Sequence, residues 1–284
     1  MNFVASIYDN TQIEKLNNLV THVLIPVPSF QSSTGVDVIE AINLCESINI
    51  KPILKLDSMI HEYMLDDFKE VILKYKDSNV LFYITDLGAA KILIDLGLVN
   101  RTIFNPHTLI TNHLDAKIYS DFGFDAVSMS LEITVNDVIK TLDKTNVDLF
   151  YLVFGHQLMF HSKRMLVSLY EEKENLNIKR NNMYLIEEKR NDKYPLLETN
   201  LGTYIYRSYQ LSLIKHIKEL NLKYAYFESR FINFDTYVEV LRIYNRYMNN
   251  EINIDEALSL ISSLDLNIED GFTYKDSVYQ KEEF

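Results

Sequence analysis

The chain has 284 residues, 47% of them apolar and 24% charged, a composition that excludes extended disorder and leaves two modest domains or one large α/β barrel. Its formal net charge of −12 argues against non-specific nucleic-acid binding and against DNA as a partner; its single cysteine, Cys45, excludes a disulfide framework, a Cys-based zinc site and any iron–sulfur cluster held by its own thiolates. The longest apolar run, Leu149 to Phe154, is far short of the ~20 residues a membrane span needs, and no basic stretch precedes an apolar one at the start, so the chain reads as cytoplasmic with no membrane partner.

From the N-terminus, short β-branched or aromatic runs alternate with helical patterns. Strands are expected at Phe3–Tyr8, Val23–Val27, Pro52–Leu56, Val80–Ile84, Thr102–Phe104, Ala126–Ser128, Leu149–Phe154 and Tyr224–Phe227. Helices are expected at Thr11–Val20, Val36–Ile48, Leu65–Tyr75, Leu87–Leu96, Leu109–Phe122, Val135–Leu142, Tyr209–Leu220 and Phe234–Met248. In the second of these, Val38, Ile39, Ala41, Ile42 and Cys45 follow the spacing of a one-faced helix, which makes Cys45 a core residue. Eight such units predict a TIM-like (β/α)8 barrel forming a single domain over residues 1–284, with a β-rich insertion between strands seven and eight at 155–207. Met183–Glu187, Pro195–Thr199 and Thr203–Tyr206 read as short antiparallel strands within it. A short helix at Ile254–Ser262 and a closing tail through Tyr279 complete the chain.

Charge is unevenly spread. Between His156 and Lys218 there are 11 Lys and Arg against 7 Asp and Glu, so a basic segment sits on an acidic body. It reads either as a solvated surface or as an RNA contact made by Lys163, Arg164, Lys179, Arg180, Lys189 and Arg190.

In barrels of this type the working residues follow the C-terminal ends of the strands. Those positions hold Asp57, Asp86, Asn105, His107, Asn112, Ser130, Glu132, His156, Glu228 and Arg230. Asp86, directly before a helix, reads as an N-cap. Glu228 and Arg230 share one side of an extended segment and suit either anion recognition or an internal ion pair. The candidates are Glu132 and Glu228 as catalytic acids and Asn105, His107, Asn112, His156 and Arg230 as ligand contacts. The seven histidines offer no metal-ligand spacing, and with seven glycines the chain has no glycine-rich phosphate loop and no Gly-x-Ser-x-Gly elbow.

The stretch Phe154-Gly155-His156-Gln157-Leu158-Met159-Phe160-His161-Ser162-Lys163-Arg164 resembles the signature region of peptidase family U32, the collagenase-like proteases, in the Gly-x-x-x-Met-x-x-Ser-x-Arg form of its short Gram-positive members. Asn105-Pro106-His107-Thr108-Leu109-Ile110-Thr111-Asn112, Ser130-Leu131-Glu132-Ile133, Tyr194-Pro195 with Leu201-Gly202-Thr203, Glu228-x-Arg230, and Gly271-Phe272 with Val278-Tyr279 continue the resemblance in order. The family name implies a hydrolase. Better understood members are similar instead to RNA- and cofactor-modifying proteins that hydroxylate tRNA wobble uridine, ribosomal RNA cytidine or quinones and hold an iron–sulfur cluster on cysteines. Here no cysteine stands near the signature, and Leu131 replaces an Arg common in the family. The resemblance therefore implies a subunit of a tRNA wobble-uridine hydroxylation system with no cofactor of its own. Its partners would be tRNA and a larger, cysteine-containing relative, to which any cluster would belong. A collagenase-like peptidase and a non-catalytic binding or scaffold barrel are the alternatives.

Overall fold

The computed structural model describes residues 1–31, 35–187, 189 and 192–274. Its first strands and helices are β1 (Asn2–Ser6), β2 (His22–Pro26), α1 (Val38–Ser47), β3 (Lys51–Leu56), α2 (Leu65–Tyr75), β4 (Leu81–Ile84), α3 (Leu87–Asp95), β5 (Thr102–Phe104), α4 (His113–Asp121), β6 (Ala126–Val127) and α5 (Val135–Lys144). Then come β7 (Phe150–Ser162), α6 (Leu166–Glu174), β8 (Met183–Ile186), β9 (Lys193–Thr199), β10 (Gly202–Ser212), β11 (Tyr224–Phe227), α7 (Phe234–Met248), α8 (Ile254–Ser262) and β12 (Ile268–Glu269).

This is an α/β fold on one curled, mixed sheet, ordered β6-β5-β4-β3-β2-β1-β11-β7-β10-β9-β8, with β12 beside β10. From β6 to β7 every pairing is parallel, and this part forms a half-barrel. An isolated parallel bridge, Val127 to Leu149, brings β6 to the segment leading into β7. From β7 to β8 the pairing is antiparallel.

The parallel strands are covered on both faces, which is why they read as unbroken apolar runs; all five residues of β2 and β3 from Pro52 onward are buried. The helices begin where side chains satisfy their first amides: Asp37 accepts from Glu40 N, Asp86 from Ala89 N, Thr134 from Asp137 N, and Asn253 forms a capping box with Glu256. The longest helix, α7, buries Tyr237, Val240, Leu241 and Tyr244 against the β11 side of the sheet.

Three expectations are corrected. Thr11–Val20 is two 3-10 turns, because the chain breaks at Asn18, which takes a left-handed φ of 61°. The first part of Tyr209–Leu220 continues β10 to Ser212: pairing with β7 overrides the helical spacing, and only turns follow. The third concerns α6, absent from the sequence reading. Its first amides, Val167 N and Ser168 N, are capped by the Glu198 carboxylate of β9, 2.6 and 3.0 Å away, so its start signal lies 30 residues downstream.

Strand β7 runs through the expected insertion boundary. Gly155 permits this: its φ is +119°, and a Cβ there would lie 2.3 Å from the Glu228 carbonyl. Just before it the β7–β11 register slips so that Val153 is extra, and its carbonyl accepts bonds from Leu213 N and Tyr244 OH. The tail residues Val278 and Tyr279 lie outside the described residues. Among the described residues, no helix is long and apolar enough to cross a membrane.

Candidate functional site

Parallel pairing puts the C-terminal ends of β1, β3, β4, β5, β6 and β11 at one end of the curled sheet, with the middle of β7 beside them. They enclose a cavity of about 110 Å³ lined by Lys55, Asp57, Asn105, His107, Glu132 and Glu228, among others.

Its floor is ionic. Lys55, the only charged residue in β3 past its first position, is 7% exposed. Its ammonium lies 3.3 Å from Asp57 Oδ2 and 3.7 Å from Glu228 Oε2, and over the Tyr226 ring at 5.9 Å from its centre. Burial by itself would lower the ammonium's pKa; Asp57, Glu228 and the buried tyrosines around it instead hold it well above the usual lysine value. Lys55 is therefore a fixed cation.

Glu228 is nearly saturated. Its Oε1 accepts from Ser6 Oγ at 2.9 Å, Tyr8 OH at 2.8 Å and Arg230 N at 2.9 Å, and its Oε2 accepts from Tyr226 OH at 2.6 Å. Burial works against its charge, but Lys55, Arg230 and these bonds outweigh it and hold the carboxyl at about 2. Ser229 locks the turn to β1 by donating its N–H to Ser6 Oγ and its hydroxyl to Ser6 O. Arg230 is buried behind this layer, its guanidinium 3.9 Å from the centre of the Tyr8 ring.

The cavity walls carry polar groups in set orientations. Asn105 donates to Tyr83 OH and accepts from His107 N at 2.9 Å, His107 taking a left-handed φ of 58°. His156 is buried with both ring nitrogens engaged: Nδ1 donates to Arg207 O at 2.8 Å, and Gln210 Nε2 donates to Nε2 at 2.7 Å. That pattern is a neutral imidazole, in keeping with burial lowering its pKa. Glu132 is exposed at the rim, its N–H donating to Ser130 Oγ at 3.1 Å.

Of the residues expected from sequence, Asn105, His107, Glu132, His156 and Glu228 thus meet in the cavity, together with Asp57. Two do not line it. Asn112 caps α4, accepting from Leu114 N and Asp115 N, and Arg230 stands behind Glu228. Sequence reasoning missed Lys55, Tyr83, Tyr206 and Tyr226. A lysine inside an otherwise apolar buried strand was the available signal for the first; the tyrosines carried none.

The basic candidates scatter. Lys163 is half-buried with Nζ 3.3 Å from Ser58 Oγ, while Arg164, Lys179 and Lys189 are exposed. Arg180 is held by Glu171 and, at 3.6 Å, by Glu198. Arg190 lies outside the described residues.

Among the described residues, no group of three or more His, Cys, Asp or Glu converges to hold a metal. A thiolate-held cluster does not fit this chain: Cys45 is fully buried on α1 and burial pushes its thiol up to about 12.

These features define an α/β protein with a buried ionic pocket at the strand ends of a curled sheet. A model of peptidase family U32 matches residues 31–277, and the chain belongs to that family. The tRNA hydroxylation protein P2 of Bacillus subtilis (strain 168) is 22% identical over 196 residues, 62% of this chain and 63% of that protein, so the chain spans less than two thirds of this relative's length. Among solved structures, the 3-dehydroquinate dehydratase from Aquifex aeolicus VF5 aligns at 12% identity and a TM-score of 0.46, covering 89% of this chain and 100% of that one. D-psicose 3-epimerase with D-tagatose from Clostridium cellulolyticum H10 aligns at 8% and 0.43, covering 93% and 96%.

Proposed function

We propose that this chain is a subunit of a tRNA wobble-uridine hydroxylation system, working beside a larger, cysteine-containing family relative that supplies any iron–sulfur cluster. The observation that carries the reading is the relationship to tRNA hydroxylation protein P2 across 196 residues. The donor set supports the division of labour, since one buried cysteine leaves this chain to bind and orient.

In this reading the cavity holds one small polar group. Lys55 presents a fixed positive charge to it, Asn105 and the Tyr83 hydroxyl present hydrogen-bonding atoms, and Glu132 is the solvent-exposed carboxylate at the rim. Glu228 acts as a positioning residue: with its pKa near 2 and four bonds accepted, it stays ionised and fixes Lys55 and the β1–β11 junction. We read the scaffold as a closed (β/α)8 barrel forming one domain, the insertion at 155–207 lying between its seventh and eighth strands. The Val127–Leu149 bridge and the bond from Val127 N to Asp148 O support that closure.

The test is nucleoside analysis of tRNA from a strain lacking this chain, with and without the larger relative. Loss of hydroxylated uridine that returns on complementation is the expected result. Unchanged nucleosides in both backgrounds, with peptide hydrolysis by the purified chain, would favour the peptidase alternative.

A further inference from the structure

We infer that a second recess, between the bulge of β10 and the segment after β12, binds a basic amino acid, its carboxylate on Arg207 and its cationic groups on Asp192, Glu269 and Asp270. The recess shares no lining residue with the ionic pocket, and its occupancy does not depend on the tRNA reading.

Strand β10 loses register with β7 between Tyr206, opposite Leu158, and Gln210, opposite His156, so that Arg207, Ser208 and Tyr209 stand against Gln157 alone. Such a bulge re-aims side chains. Tyr206 lines the ionic pocket, whereas Arg207, Ser208 and Tyr209 line a separate cavity of about 640 Å³. Its other wall is the segment after β12, and both walls are held by backbone bonds: Gln210 N donates to Asn267 O at 2.8 Å, Thr273 N to Asp270 O at 3.0 Å and Val135 N to Thr273 O at 3.1 Å. The bulge itself is pinned by His156 Nδ1, which donates to Arg207 O at 2.8 Å. At Gly271, with a φ of +57°, a Cβ would come within 3.0 Å of the Tyr209 hydroxyl oxygen, so the two walls meet there.

The charges of this recess are kept apart. Arg207 is half-buried, its guanidinium carbon 5.0 Å from the centre of the Phe272 ring, and its Nε is shut off from solvent with no hydrogen-bond partner. Asp192, Glu269 and Asp270 line the same cavity and are exposed, yet among the described residues no carboxylate lies within ion-pair distance of Arg207. The Tyr209 hydroxyl feels both signs: burial raises its pKa, Arg207 opposes this, and Glu269 and Tyr194 add to it, so it stays a neutral hydroxyl. Charge withdrawn from water is ordinarily paired. A recess that holds opposite charges apart is completed by a molecule carrying both signs. The planar guanidinium suits a carboxylate. Three carboxylates against one guanidinium leave the cavity acidic, so the favoured zwitterion has a second cation, as L-arginine and L-lysine do. A simple anion would face the three carboxylates, and a diamine would leave Arg207 unpaired.

The experiment is isothermal titration calorimetry of the full chain with L-arginine, L-lysine, agmatine, L-glutamate and inorganic phosphate at two salt concentrations. Agmatine is arginine without its carboxylate. L-Arginine and L-lysine are expected to bind, agmatine to bind about tenfold or more weakly than L-arginine, and L-glutamate and phosphate to give no saturable heat. Arg207→Gln is expected to weaken L-arginine by about 10- to 150-fold, the range for hydrogen bonds to a charged group, and to leave agmatine unchanged, so the preference for the carboxylate disappears. Arg207→Lys keeps the charge and is expected to restore part of that preference. Glu269→Gln combined with Asp270→Asn is expected to weaken L-arginine and agmatine alike and to flatten the salt dependence of both. The contrast between L-arginine and agmatine on the native chain needs no variant, and equal melting temperatures check the fold of the others. No heat from L-arginine and L-lysine, equal affinity for L-arginine and agmatine on the native chain, or saturable binding of phosphate or L-glutamate in their place overturns the assignment. An equal loss of both ligands in Arg207→Gln, which a merely structural arginine would give, overturns it too.

Discussion

Glu228 shows how much of the site is set by single residues. Its folded pKa is depressed from 4.5 to about 2, so it adds stability that is fully present above pH 4.5 and is lost as pH falls toward 2. Glu228→Gln is expected to cost about 3 kcal/mol at neutral pH, in urea unfolding, and to flatten the stability profile between pH 4.5 and 2. His22, at the opposite end of the sheet, adds a second acid-labile contribution. Burial lowers it from 6.5 to about 4, so the neutral ring stabilises the fold above pH 6.5, and that stability is lost as pH falls to 4. His22→Phe is expected to reduce the decline in that window, to which the buried His156 and the similarly depressed His107 and His161 also contribute, and to leave the lower one in place, as read by unfolding at a series of pH values. A single decline centred elsewhere would contradict both assignments.

At the scale of elements, β7 and α6 depend on contacts from far along the chain. Gly155→Ala would set a Cβ 2.3 Å from the Glu228 carbonyl at a φ of +119°, and is expected to cost about 3 kcal/mol or more. Gly97, at +70° with nothing within 4 Å of a Cβ, is the control: alanine there is expected to cost only about 1 kcal/mol. Removing the Glu198 carboxylate uncaps α6, so Glu198→Ala is expected to cost about 1 to 2 kcal/mol and to speed hydrogen exchange at Val167 and Ser168. The sequence disclosed what is local. The β/α alternation from β2 through α5 was legible because strands covered on both faces are apolar runs and because Asp86 marks a helix start. It did not disclose α6, whose cap is on β9, or the continuation of β10, whose conformation is imposed by β7. Glu228 and Asn105 were legible as polar groups at strand ends. Lys55 was overlooked because it lies inside a strand, and Arg230 was taken for a ligand contact because nothing in its neighbours announced the Tyr8 ring that covers it.

For the whole molecule, the charge balance separates two ways of meeting RNA. The basic segment of the insertion offered six candidate phosphate contacts, yet Arg180 is committed to Glu171 and Glu198 and Lys163 points back to the loop after β3. A chain of net charge −12 with two of these cations so engaged, leaving Arg164, Lys179 and Lys189 exposed, is expected to bind RNA with a weaker salt dependence than six phosphate contacts would give, unless the larger relative contributes a basic surface of its own. The central claim is that the ionic pocket serves tRNA hydroxylation. Its most direct test is the level of hydroxylated uridine in tRNA from a deletion strain complemented with the native chain or with Lys55→Met, after confirming that both accumulate equally. Restoration by the native chain and its absence with Lys55→Met is the predicted result; equal restoration by both, or full hydroxylation in the uncomplemented strain, would contradict the account.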